Sequence, residues 1–218
     1  MSTLLLRLAA PLQSWGLDKF ERRGTETVPT KSGIIGMIAA ALGYRRSQND
    51  KTQSLLSLQL GIRVERSGML LRDLHTAHGE DASYLTNRYY LSDAVFLACL
   101  EGSDDLIERI AQALQTPVFP LFLGRRSCPP EGRVFLRIVK DKGLLLVLLE
   151  EPSILPNDIS DISKRRIVID ADSNSKDAYL QRDVPLSFDQ AHRKYGFRRT
   201  REVRRSMPNH NSMQENNE

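Results

Sequence analysis

The run Pro29–Gly43, PTKSGIIGMIAAALG, constrains this chain more than any other stretch, because it joins a helix pattern to small residues over much of its surface. Pro29 and Thr30 end an extended segment, Ser32 can cap the open N–H groups of the first turn, and Gly43 falls where a left-handed residue closes a helix. Gly33, Gly36, Ala39, Ala40 and Ala41 let the helix lie close against whatever covers it, while Ile34, Ile35, Met37, Ile38 and Leu42 supply apolar contact. A capped helix start with Lys31 beside it also suits a phosphate. Packing alone accounts for the run equally well. It is no Walker loop, since the order G-x-x-x-x-G-K-[ST] is absent.

Around this helix the chain reads as further strands and helices. Thr3–Ala10 is a strand stopped by Pro11, and Leu12–Val28 is a long polar connection carrying Trp15, Phe20, Arg22 and Arg23. Tyr44–Gln53 reads as a charged loop and Leu60–Glu65 as a strand, which Ser67-Gly68 turns into Met69–Asp73 to give a hairpin. Leu74–Tyr90 keeps no apolar period and reads as an insertion projecting from the core. Ser92–Leu100 is a buried strand. Asp104–Gln115 is the clearest helix, with Ser103 as cap, Asp104 and Asp105 at its positive end, and Leu106, Ile107, Ile110, Ala111 and Leu114 on one face. Arg133–Val139 and Gly143–Leu149 read as strands about the turn Lys140–Gly143, Pro152–Lys164 as a loop, and Arg165–Ala171 as another strand. Through residue 139 the order is strand, helix, strand, strand, helix, strand. That is an α+β class with the ferredoxin-like βαββαβ order shared by RNA-recognition modules. The expected organisation is a ferredoxin-like domain over 1–120, a small β-rich domain over 121–207 and a disordered tail over 208–218.

A chain of 218 residues, 40% hydrophobic and 27% charged, fits one large globular domain or two small ones. The net charge is only +4, but the excess is clustered: Arg193–Arg205 carries seven Lys or Arg against the single Glu202. Such a run favours a polyanion, or is a solvated tail. Cys99 and Cys128 stand far apart with no C-x-x-C, which argues against a disulfide framework and a cysteine zinc site and suits a reducing compartment. The N-terminal apolar run is too short to span a membrane and contains Arg7, so no signal peptide is read and a cytoplasmic location is expected.

Leu123–Pro129, LGRRSCP, is the loop richest in binding chemistry. Gly124 lets the backbone approach a ligand, Arg125 and Arg126 offer two guanidinium forks, and Ser127 adds a hydroxyl for phosphate or sugar. The alternative is a solvated turn with two surface arginines. His75 and His78 form an H-x-x-H followed by Glu80 and Asp81, but no helical frame or third fixed ligand accompanies them, so neither metal nor cofactor is expected. Tyr84, Arg88, Tyr89 and Tyr90 interleave rings with charge, as single-stranded RNA binding requires, or simply pack the insertion onto the core. Trp15 reads as a core anchor and Cys128 as a buried small residue. Lys194-Tyr195-Gly196-Phe197 echoes the start of the RNP1 motif, lacks its downstream F-V-x-F/Y and carries no weight by itself. There is no nucleophilic triad, paired-carboxylate site or dinucleotide fingerprint, and no catalytic residue is assigned.

The blocks LLLRLAAPLQSWG, FERRGTETVPTKSGIIGMIAAALG, LRDLHTAHG, RYYLSDAVF, FLGRRSCPP and YLQRDVPLSF together resemble the CasD family of CRISPR-associated proteins. These are the type I-E members of the fifth Cas family, in the RAMP superfamily, and the matching blocks run in order from Leu4 to Phe188. The resemblance implies a ferredoxin-like N-terminal domain with an inserted thumb at about 73–91 and a small C-terminal β domain. It implies a non-catalytic subunit of the Cascade surveillance complex that grips the 5′ handle of CRISPR RNA and caps the backbone filament. Its partners would be the handle, the backbone and large subunits and, indirectly, target DNA, with no membrane. Carried onto this chain, the handle-contacting residues would be Lys31, Ser32, Gly33, Gly124, Arg125, Arg126 and Ser127, with Arg22 and Arg23 beside them. His75, Tyr84, Arg88 and Tyr89 would carry the thumb's subunit contact. Arg193–Arg205 is more basic than the family pattern, and its contacts stay open. A metal-independent endoribonuclease maturing the RNA is the alternative; it would need an acid–base pair, for which His75, Tyr195 and Lys194 are the candidates. A generic RNA-binding protein outside CRISPR is the third.

Overall fold

The run STLLLRLA is apolar on both sides of its strand because both sides are covered. In β1 (Ser2–Ala9), Leu4, Leu6 and Leu8 enter one core and Leu5 the other. The computed structural model describes residues 1–16, 22–78, 83–172, 174–189 and 192–203. The expected tail 208–218, Phe20, Glu80, Asp81, Arg204 and Arg205 lie outside these, as do the side chains of Arg22 and Ala77.

β1 lies within a seven-stranded sheet completed by β4 (Gln59–Arg66), β7 (Val95–Gly102), β8 (Phe135–Lys140), β9 (Ile167–Asp170), β10 (Tyr179–Ser187) and β11 (Lys194–Val203). Its order is β10-β11-β9-β4-β7-β1-β8, every pair antiparallel. Helices α1 (Lys31–Ala41) and α3 (Asp104–Gln115) pack their isoleucines into the core on one face. Helix α4 (Leu144–Glu150) covers the other with Leu144, Val147 and Leu148. A second sheet is built on β6 (Ser83–Ser92), which pairs along its length with β5 (Met69–His78) and also with β2 (Leu12–Gln13) and β3 (Arg22–Arg23). The class is mixed α+β with mostly antiparallel sheets. No helix among the described residues is long and apolar enough to cross a membrane.

Several expectations change. Met69–Asp73 does not hairpin with Leu60–Glu65: β4 pairs with β7 and β9, whereas β5 pairs with β6. The chain leaves the main sheet at Gly68 and returns at Asp93, both with positive φ, +70° and +57°. Tyr44–Gln53, read as a loop, ends in a short helix, α2 (Asn49–Gln53), and a 3₁₀ turn, Ser54–Ser57. Gly143–Leu149 is helix rather than strand. A short continuous apolar run fits either state, and here partners distant in sequence hold both ends. The Glu101 carboxylate accepts from the Leu144 N–H, and the Arg63 guanidinium donates to the carbonyls of Leu148, Glu151 and Pro152 at 2.6–2.9 Å. Ser103 precedes α3 but makes no capping bond with its side chain; Asp104 is instead held by the Ser2 hydroxyl at 2.7 Å. The basic run is largely strand β11, paired with both β10 and β9. Pairing also crosses residue 120, since β8 joins β1 and β9 joins β4.

Candidate nucleic-acid interface

The start of α1 is held by its neighbours. Thr30, not Ser32, is the cap: its hydroxyl accepts from the Gly33 N–H at 3.3 Å. Ser32 is buried, 3.4 Å from that same hydroxyl. Gly33 is required because Trp15 lies across the first turn; a Cβ at this position would come within 2.8 Å of the indole. Trp15, 1% exposed, is thus a core anchor. Lys31 is taken up internally. Its backbone N–H donates to Asp183 at 2.8 Å and its ammonium to Asp170 at 3.0 Å. The same two carboxylates bind Arg198, which meets Asp183 through Nε and Nη2 at 2.7 and 2.8 Å and Asp170 through Nη1. Burial opposes charge on Arg198, but the two carboxylates outweigh it and hold its pKa above the ordinary arginine value. A lysine 7% exposed and so paired has no free charge for a phosphate. It helps tie β9, β10 and β11 to the helix.

The LGRRSCP loop divides its two arginines. Gly124 has φ +89°, and a Cβ there would lie 1.6 Å from the Ser14 carbonyl oxygen, so only glycine fits. The loop closes on itself through Leu123 N–H to Cys128 O at 2.8 Å and Cys128 N–H to Arg125 O at 2.9 Å. Arg125 is half-buried, its guanidinium 4.7 Å from the centre of the Tyr90 ring, and Nη2 donates to the carbonyls of Arg23 and Gly24 at 2.7 and 3.3 Å. Arg126 and Ser127 are exposed. The structure therefore brings the loop to β3, whose Arg22 and Arg23 pair in parallel with Asn87 and Arg88 of β6. Burial pushes the Cys128 thiol up, and the Cys99 thiol more strongly.

A groove of about 480 Å³ opens over the small-residue side of α1. Gly33, Gly36 and Ala40 contribute from the helix, Phe119, Phe122 and Gly124 from the segment after α3, Phe188 from just after β10, Arg193 from just before β11, and Tyr195 from β11 itself. Exposed Arg45 and Arg46 and the half-buried ring of Tyr44 complete it. The floor is closed by backbone bonds from Val118 and Phe119 to the carbonyls of Ala41 and Ala40 at 3.0 and 3.2 Å, which satisfy groups left open at the helix end. A second cavity of about 450 Å³ shares Gly16, Thr30, Arg193 and Tyr195 with the groove. Arginines beside rings over a floor without bulky side chains can take an extended, unstacked single strand. Sequence reasoning found the floor and singled out Tyr195, though only in the RNP1 echo and as a candidate acid–base residue; it missed Arg45, Arg46, Phe119 and Phe122, which become neighbours only through tertiary packing. The basic pair in YRRS was the one available signal.

The β5–β6 ribbon carries the remaining candidates. Its register sets Leu70, Leu74 and His78 with Leu85 on one side, and Asp73, His75, Tyr84 and Arg88 on the other. Leu70, Leu74, Tyr84 and Leu85 are 56–65% exposed. His75 pairs with Asp73, Arg88 lies directly opposite Asp73, and His78 bonds the Ser83 hydroxyl at 2.8 Å. Tyr89 accepts at its carbonyl from Ser14 Oγ at 3.3 Å. Three residues apart on a strand, His75 and His78 point to opposite sides and cannot share a metal. Among the described residues no group of three His, Cys, Asp or Glu is placed to hold one. Tyr195 lines the groove, His75 sits on the ribbon, and Lys194 is on the opposite face of β11 from its neighbour Tyr195.

A family model described as CRISPR-associated protein (Cas_Cas5) matches residues 3–201. The chain is 36% identical over 157 residues to the CRISPR system Cascade subunit CasD of Escherichia coli (strain K12), covering 62% of this chain and 70% of that one. Among solved structures, a chain of a CRISPR RNA-guided surveillance complex superposes with TM-score 0.77 at 33% identity, over 92% of this chain and 89% of that one. A crystal structure of a Cas protein superposes with TM-score 0.71 at 35% identity, over 92% and 93%.

Proposed function

Because the chain belongs to the Cas5 family of CRISPR-associated proteins, we propose that it is a non-catalytic RNA-binding subunit of a Cascade surveillance complex. It grips the 5′ handle of CRISPR RNA and caps the backbone filament at that end, so that the RNA can guide recognition of target DNA in the cytoplasm. The observation that carries this reading is the groove over α1, where Arg45, Arg46 and Arg193 stand beside Tyr44, Phe119, Phe122 and Tyr195. Cations bind the phosphates and rings stack the bases; neither task needs a proton-transfer pair. Arg126 and Ser127 extend the cationic surface at the neighbouring loop. Arg125, Lys31 and Ser32 support the groove from beneath, and Gly33 and Gly124 permit its close packing.

The strand order β4-β7-β1-β8, with α1 after β1 and α3 after β7, supports a ferredoxin-like βαββαβ unit extending to about residue 140. The β5–β6 ribbon is then a thumb inserted between its second and third strands, and β9–β11 a C-terminal extension of the same sheet. The thumb's exposed leucines are the contact for an adjacent backbone subunit.

The test is incubation of the purified protein with full-length CRISPR repeat RNA, with and without EDTA, read on a gel for shift and cleavage. The expected result is a shift without cutting. Clean cutting that survives EDTA would overturn the non-catalytic assignment in favour of an endoribonuclease, with His75 the first residue to replace.

A further inference from the structure

Strand β11 divides its side chains sharply between two environments. On one side Arg198 is locked to Asp183 and Asp170, and Thr200 is fully buried. On the other, Tyr195, Phe197 and Arg199 repeat at every second residue and so share a face. Tyr195 lines the α1 groove together with Arg193, just before the strand. Phe197 lies farther along and is 63% exposed, with Arg182 of β10 as its direct cross-strand neighbour. Arg182 is itself exposed and lines the cavity continuous with the groove. Arg199 is exposed, gives one bond to the Ser175 carbonyl at 3.1 Å, and stands opposite Leu180, 68% exposed.

We infer that this face of β10 and β11 is a stacking track for single-stranded RNA, continuing the groove beyond Tyr195. The inference rests on the groove being an RNA site. Tyr195 and Phe197 stand about 6.8 Å apart along the strand, so each ring can offer its face to a different base. Arg182 and Arg199 flank the outer ring with positive charge, complementary to the phosphates between those bases. Stacking of this kind tolerates any base, so the track would add length-dependent affinity rather than sequence preference.

The experiment uses the full chain and fluorescein-labelled single-stranded RNAs of increasing length, with wild type, Phe197→Ala, Phe197→Trp and Arg126→Ala compared. Phe197→Ala should leave the shortest bound RNA unaffected and weaken longer ones by roughly fivefold to a hundredfold, the worth of one base stacked on a ring. Phe197→Trp should keep the affinity, and longer RNAs should quench its emission beyond the change that the same RNAs cause in wild type, whose one tryptophan, Trp15, lines the groove. Arg126→Ala should weaken short and long RNAs alike. Equal binding of every length by wild type and Phe197→Ala would overturn the track while leaving the groove intact. Loss of complex assembly by Phe197→Ala with RNA binding unchanged would also overturn it, assigning the face to a protein partner. A wild-type chain that binds no RNA would overturn the groove and the track together.

Discussion

The guanidinium of Arg125 lies 4.7 Å from the centre of the Tyr90 ring, so the signature loop is fastened to the root of the β5–β6 ribbon. The same side chain holds the carbonyls of Arg23 and Gly24. One arginine thus joins three segments distant in sequence, while its neighbour Arg126 is exposed to solvent. Two adjacent residues of one type serve different ends, one architectural and one available to a phosphate.

Replacing each arginine should separate these roles. Arg126→Ala should weaken handle RNA binding and flatten the plot of log affinity against log salt by about 0.7, the slope that one neutralised phosphate of a single strand contributes. Arg125→Ala should leave that slope unchanged and raise amide exchange in 22–24 and 88–92. Arg125→Lys should not restore protection, because an ammonium cannot both stack on a ring and fork to two carbonyls. Filter binding across a salt series and hydrogen-exchange mass spectrometry give the two readouts. An equal fall in slope for both alanine variants would show that Arg125 also meets a phosphate.

The ribbon offers a second separation. Leu74 and Leu85 share one of its sides and are 56% and 58% exposed, so polar replacements cost the isolated fold little. The double variant Leu74→Asp, Leu85→Asp should keep the wild-type melting temperature and RNA affinity but fail to co-elute with the backbone subunit in gel filtration. Normal co-elution would assign the subunit contact to the opposite side, with Tyr84 and Arg88.

Thiol reactivity reports on the signature loop. Burial raises the pKa of both Cys99 and Cys128, so each stays a protonated, unreactive thiol through neutral pH. A disulfide reagent such as DTNB should label neither at pH 7 in the native protein and both after denaturation. Labelling of Cys128 alone under native conditions would show that the 123–128 loop opens.

The parts of this molecule that could be read from sequence are those fixed by local pattern. Helix α3 was legible to the residue because its apolar face, acidic first turn and terminating prolines agree. β1, β4 and the C-terminal glycine of α1 were legible for similar reasons. What was lost depended on partners far along the chain. LLLVLLE reads as a strand until Glu101 and Arg63 bind its two ends. Lys31 reads as a free cation until Asp170, 139 residues away, neutralises it. RKYGFRRTREVRR reads as a run of free charge, for a polyanion or for solvent, because the aspartates that bury Arg198 belong to other strands. For the proposed binding surface, the glycines and the LGRRSCP loop were visible, but charge alone could not tell the half-buried Arg125 from the exposed Arg126.

Arg63 provides the most demanding test of the packing. Its side chain is 0% exposed, bonds Glu65 at 2.7 Å and holds three carbonyls at the end of α4. Arg63→Met fills much of the volume but leaves those carbonyls without their donor and removes a partner from Glu65, whose side chain is also fully buried. Removing one member of a buried ion pair costs about 3–5 kcal/mol, which in a domain of this size lowers the melting temperature by on the order of 10 °C. Arg63→Met with Glu65→Leu should lose less than the sum of the two single changes, since the buried carboxylate that lost its Arg63 partner is then gone as well. Arg165, which also pairs with Glu65, would keep its contact with Asp158 in that background. Calorimetry on the four proteins measures the coupling directly. Strict additivity would mean that Arg63 acts only through the α4 carbonyls, and that the ion pair contributes nothing to holding the helix against the sheet.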